Sequence, residues 1–137
     1  MNILLSFQLL GTALLLICAL AVTDKDNIGL PKGLEPLGVG LAVAGIGMSY
    51  GYNCGYAINP ARDLAPRLFT LMAGWGSGTF TEHSYWFWVP LIAPHVGAIL
   101  GAFMYVIMVG IHVEPEPEFV EEVVTMKKED FGKRSMP

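Results

Sequence analysis

Residues 3–22 run for 20 positions without one charged side chain, and no other feature constrains the fold so strongly. A helix rising 1.5 Å per residue over about 20 residues matches the ~30 Å hydrocarbon thickness of a bilayer. Met1-Asn2 supplies no basic stretch ahead of this run, so Ile3–Val22 reads as a membrane span and not as a cleaved leader. A span with nothing cytoplasmic before it leads us to expect a chain that starts partway through a longer protein.

The rest of the composition agrees. Hydrophobic residues make up 53% of the 137 residues and charged ones 15%, where a soluble domain carries roughly a quarter charged. The formal net charge of −4 comes mostly from residues after Ile111, and no basic cluster points to nucleic acid. Cys18 lies in the first apolar run and Cys54 in a glycine-rich stretch, so no disulfide is expected.

A polar loop, Thr23-Asp24-Lys25-Asp26-Asn27, ends the first span and continues through Gly29, Pro31 and Gly33. Leu37–Tyr52 is a second apolar segment, and Tyr85–Ile111 a third. Between them, Gly51–Ile58 reads as too glycine-rich for a helix, and Asn59-Pro60 reads as a helix start. Asn is a favoured N-cap, and Pro at the first helical position loses no hydrogen bond. A helix from Pro60 to about Met72 crosses only about half of the hydrocarbon core. Residues 73–84 read as a loop. The expected fold is therefore an all-α membrane protein with three transmembrane helices (about 3–22, 37–52 and 85–111) and one re-entrant half-helix (about 60–72).

Lys25 and Lys32 lie in the first loop, and Lys127, Lys128, Lys133 and Arg134 in the tail, whereas 73–84 has no Lys or Arg. The bias of positive charge toward the cytoplasm puts the first loop and tail inside. Residues 112–137, with Glu-Pro-Glu-Pro-Glu and mixed charges, read as a disordered cytoplasmic tail carrying Thr125 and Ser135 as modifiable hydroxyls.

Irregular backbone at membrane depth is tolerated only where protein buries it or water lies beside it. Gly51–Ile58 should therefore line a pore or a buried site. The half-helix starting at Asn59 aims its positive end at mid-membrane, which opposes cations and protons and offers donors to neutral hydroxyl solutes.

Asn59-Pro60-Ala61 alone is a weak signal, but the whole string from Gly51 to Arg67 closely resembles the second Asn-Pro-Ala signature of the major intrinsic protein family. The resemblance covers all but the tail. It implies that residues 1–111 are the C-terminal half of the six-helix aquaporin inverted repeat. The missing N-terminal half would carry the first Asn-Pro-Ala motif. Within the family the pattern resembles the glycerol channels. The position twelve before Asn59, a filter His in water-selective members, is Gly47 here, which should widen the constriction. Arg62 matches the filter arginine, whose fork of donors can hold successive hydroxyls. Tyr56 matches the apolar filter wall, and Asp63, Arg67, Pro90 and Leu91 match glycerol-channel markers. Asp63 is expected to pin a neighbouring arginine or the loop. The resemblance further implies a homotetramer in a lipid bilayer, the plasma membrane, with water and glycerol as permeants and no cofactor or metal.

Ordinary readings stand beside these. Arg62 could pair with Asp63, and Tyr56 could be packing. Gly97 and Gly101, four apart, suit close helix packing, as do Gly47 and Gly51. His95 inside the last span should face the bundle, and His83 lies in the outer loop. Two rivals to a channel are a non-conducting truncated isoform that joins full-length subunits, and a membrane enzyme binding an anion. No nucleophile–base pair, metal-ligand cluster or phosphate loop supports the enzyme.

Overall fold

The computed structural model describes residues 2–113, whose regular elements are all helical, with no strand among the described residues. The expected tail and the side chain of His83 lie outside the described residues. Helix α1 spans Asn2–Thr23 and α2 Glu35–Cys54. Helix α3 spans Pro60–Thr70, α4 Gly78–Tyr85 and α5 Val89–Met108. Two segments, Leu4–Thr23 and Trp86–His112, are long and apolar enough to cross a membrane. The 20-residue α2 is comparable in length, but its glycines make it less apolar.

Local chemistry explains most of the boundaries. Pro36 sits in the first turn of α2 beside Glu35, where a missing N–H is harmless and a negative charge suits the helix dipole. The end of α2 differs from expectation. Gly51–Cys54 remains helical, and the break comes at Gly55 and Tyr56, with φ of 64° and 60°. Glycine weakens a helix by about 1 kcal/mol per residue, but carbonyls without water have no better partner than the next turn. Gly55 closes α2 with its N–H on the Gly51 carbonyl at 3.0 Å.

The segment between α3 and α5 also departs from the sequence reading. The α-helical part of α3 stops at Thr70, and a π-type turn, Leu71–Trp75, follows, with Gly74 at φ 89°. Residues 78–85 form α4 where a loop was expected. Their start is organised by the Ser77 carbonyl, which accepts from Phe80 N at 3.0 Å and Thr81 N at 3.2 Å. The Phe80 ring meets Phe87 edge-on, with centroids 5.2 Å apart. Such tertiary support is invisible to local propensity. Tyr85, at φ 61°, ends α4, and a 3₁₀ turn, Trp86–Trp88, leads into α5.

Helix α1 is the centre of the assembly, packed against both α2 and α5. Its crossing with α5 is close because α5 offers glycine there. A Cβ on Gly97 would fall onto the Leu9 carbonyl, and one on Gly101 onto the Ala13 carbonyl. Backbone therefore meets backbone, the arrangement that small residues four apart permit. The opposite surfaces are apolar and open: Met48 on α2 is 84% exposed and Ile99 on α5 70%. A surface this apolar suits lipid or further protein, not water.

Candidate functional site at the α2–α3 junction

The site is built where α2 ends and α3 begins. After Gly55 and Tyr56 turn the chain through left-handed conformation, Ala57 and Ile58 are buried and Asn59 is extended, with φ −136° and ψ 116°. The Asn59 Oδ1 accepts from the N–H groups of Ala61 at 3.0 Å and Arg62 at 3.2 Å. With Oδ1 occupied, the Asn59 amide nitrogen is left as a donor on an exposed residue at the positive end of α3. Thr12 of α1 secures the approach from behind, its hydroxyl lying 2.8 Å from the Gln8 carbonyl and 3.4 Å from that of Ile58.

Arg62 is exposed, and its Nη1 donates to the Gly55 carbonyl at 3.4 Å. It makes no ion pair among the described residues. Asp63 is turned to Arg67 instead, accepting from Nε at 2.6 Å and Nη2 at 3.3 Å. The bidentate fork is geometry that Lys could not supply. Arg67 Nη1 then donates to the Thr79 carbonyl, tying α3 to α4. Asp63 thus pins an arginine, as its position suggested, and the alternative Arg62–Asp63 pair does not form. Arg62, Asp63, Pro66, Arg67, Thr70 and Thr79 border an open cleft of about 480 Å³.

Gly47 and Tyr56 are brought together in a way the sequence did not reveal. The Tyr56 ring lies over Gly47, so that a Cβ at 47 would sit 3.0 Å from Tyr56 Cζ and 3.1 Å from Cε2. The Tyr56 hydroxyl reaches past Gly47 to donate to the Val43 carbonyl. Absence of a side chain at 47 makes room for the ring at 56.

Two of the four marker residues, Pro90 and Leu91, lie away from this junction. Pro90 is buried in the first turn of α5, and Leu91 is half-buried beside it. Leu91 O lies 2.7 Å from His95 Nδ1. His95 is exposed on this chain, while α5 turns Ala93, Pro94, Gly97 and Gly101 toward the interior. Cys54 is buried, its thiol donating to the Tyr50 carbonyl, and Cys18 is also a free thiol.

Sequence reasoning missed Gln8. Its side chain is fully buried, and neither amide atom has a hydrogen-bond partner among the described residues. Gln8 and Thr12 are polar residues one turn apart in a largely apolar helix, and that spacing marks an inward face. The signal was present and unread.

This all-helical architecture, with two apolar segments of bilayer-crossing length and a capped short helix at an interior break, is that of a helical bundle suited to a membrane. Residues 3–105 match the family model described as Major intrinsic protein. The chain is 50% identical over 120 residues to aquaporin-10 of Milnesium tardigradum, covering 79% of this chain and 29% of that protein. It is 47% identical over 118 residues to human aquaporin-10, covering 86% of this chain and 39% of the relative. An X-ray structure of the aquaglyceroporin from Plasmodium falciparum superposes with a TM-score of 0.70 at 39% identity, over 74% of this chain and 42% of that one. The chain belongs to the major intrinsic protein family. Members of that family are channels and not enzymes. The chain spans well under half the length of these relatives.

Proposed function

We propose that this chain forms the C-terminal half of a passive conduit for water, glycerol and small neutral solutes. α1, α2 and α5 cross the bilayer, and α3 re-enters it from the outer side. The observation that carries the reading is the start of α3: an exposed Asn59 whose oxygen is committed to the helix cap and whose nitrogen is free to donate. At about 1.5 Å per residue, its 11 residues extend only about halfway through a ~30 Å core. The positive helix end and the Arg62 guanidinium oppose cations, while their N–H groups can bond a hydroxyl. Asn59, Pro60 and Ala61 form the motif at mid-membrane, and Arg62, Tyr56 and Gly47 form the selectivity filter. Asp63, Arg67, Pro90 and Leu91 support them. The names of the relatives, aquaporin and aquaglyceroporin, fit this substrate class.

The other wall is supplied by an N-terminal half with its own Asn-Pro-Ala motif, in a homotetramer of the plasma membrane with the tail in the cytoplasm. Stopped-flow shrinkage and reswelling of liposomes tests the reading. The chain reconstituted with an aquaporin N-terminal half should raise glycerol and water flux well above either half alone. Equal flux from the pair and from empty liposomes, with both halves shown to be inserted, would sink it.

A further inference from the structure

We propose that the backbone carbonyl of Val43 is a positioning contact for the permeation path, holding the Tyr56 hydroxyl inside the protein so that ring carbon, not phenol, faces the solute. The inference rests on the filter reading above and adds to it a specific device on α2. Three observations converge on it. The Tyr56 hydroxyl donates to Val43 O, across thirteen residues of chain. Its ring lies against Gly47, one turn further along α2, at distances where a Cβ would already crowd it. The backbone of Tyr56 itself is held at φ 60°, a left-handed conformation that a bulky side chain adopts only where its surroundings impose it.

The chemistry follows from that geometry. Val43 O is already the helical acceptor for the Gly47 N–H, and a carbonyl oxygen has a second lone pair that a hydroxyl can use. A Cβ at 47 would sit 3.0 Å from the ring and 3.4 Å from Tyr56 Oη, so the ring would have to give by a few tenths of an ångström and the bond to Val43 would loosen. A free phenol at a constriction would bind water and hydroxyls as donor and acceptor. A tethered one presents an apolar surface against which a carbon backbone can slide. Tyrosine at 56 then acts as phenylalanine would, with one added bond fixing where the wall stands. Gly47, Val43 and Tyr56 form one unit, so changes at 47 and 56 should not be additive.

The test is a mutant cycle on flux selectivity, paired with a direct probe of the ring. Glycerol-to-water permeability ratios are measured for the reconstituted pair of halves carrying Tyr56→Phe, Tyr56→Ala, Gly47→Ala and the Tyr56→Ala/Gly47→Ala double variant. Tyr56→Phe should change the ratio by about fivefold, the equivalent of one ordinary hydrogen bond. Gly47→Ala should change the ratio in the wild-type background and leave it unaltered once Tyr56 is Ala. If Tyr56→Ala alters the ratio but Tyr56→Phe does not, the ring is a wall and the tether is idle, which overturns this inference and leaves the filter reading standing. If Tyr56→Ala alters nothing, both fail. Fluorine NMR of 3-fluorotyrosine at position 56 in the chain alone needs no conducting pore. A slowly flipping ring that Gly47→Ala or Gly47→Ser mobilises supports the tether, and a freely averaging ring in the unmodified chain overturns it.

Discussion

The Tyr105 hydroxyl donates to Asp24 Oδ2 at 2.7 Å, joining the last turn of α5 to the chain as it leaves α1. The two residues are 81 positions apart, and both belong to elements whose middles are already locked by Gly97 and Gly101. One buried aromatic and one carboxylate thus close the cytoplasmic end of the α1–α5 pair, on the proposed orientation. The loop that follows Asp24 is held in turn by Asp26 N on Asp24 Oδ1 at 3.1 Å and by Leu30 N on the Val22 carbonyl at 3.2 Å.

Tyr105→Phe should lower stability by about 1–2 kcal/mol, since a bond to a charged acceptor is lost while the ring packing stays. Unfolding of the chain by sodium dodecyl sulfate in mixed micelles, followed by circular dichroism, measures it. The effect should shrink in an Asp24→Ala background, where Asn27 is the hydroxyl's remaining side-chain partner. Equal losses in both backgrounds would mean that the hydroxyl acts elsewhere.

Substitution of the crossing glycines should do more. Gly97→Val or Gly101→Val drives a side chain into the backbone of α1, and overpacking of this kind costs about 1–3 kcal/mol. Gly40 on α2 is the control, because a Cβ there meets nothing within 4 Å. Gly40→Ala should be neutral or gain up to about 1 kcal/mol from helix propensity. The same micelle titration separates the cases, and an intact Gly97→Val helix pair would refute the close-packing account.

The crossing also shows what a sequence can and cannot give away. Gly97 and Gly101 were legible from spacing alone, as was the Asn59 cap, because each is a local pattern with one dominant physical meaning. The two longest apolar segments were legible from length. The helical state of Gly51–Cys54 was not, since propensity describes a peptide in water and those carbonyls have no water to turn to. Helix α4 was hidden for a different reason: Phe80 leans on Phe87 and Thr79 on Arg67, contacts that only the fold creates. The contact between Gly47 and Tyr56, nine residues apart, was not legible, because no local pattern links the two positions.

Asp63→Asn should loosen the outer segment and little else. The Asp63 carboxylate aligns Arg67, and Arg67 holds the Thr79 carbonyl, so weakening the first bond should free α4. Hydrogen exchange at residues 78–85 should speed up by about tenfold, matching the ~1.5 kcal/mol lower bound for a bond to a charged group. Exchange across α1 should not change. Arg67→Lys should produce much the same result, because an ammonium cannot hold both carboxylate oxygens and the carbonyl in one plane. Faster exchange everywhere would instead indicate general destabilisation.

Because Asp63 is committed to Arg67, the charge on Arg62 has no carboxylate partner among the described residues, and this sets the last prediction. An arginine neutralised by a neighbour would repel cations weakly. An unpaired one beside the positive end of α3 should repel them strongly, since two positive sources add along the same axis. In the reconstituted pair of halves, Arg62→Ala should therefore raise cation leak relative to glycerol flux. Arg62→Lys separates charge from shape. It keeps the repulsion but loses the planar fork, so cations should stay excluded while the preference for glycerol over water falls. Conductance across a planar bilayer and stopped-flow glycerol flux measure the two quantities independently. A cation-to-glycerol ratio unmoved by Arg62→Ala would remove Arg62 from the filter, and with it the reason for Asp63 to be turned away.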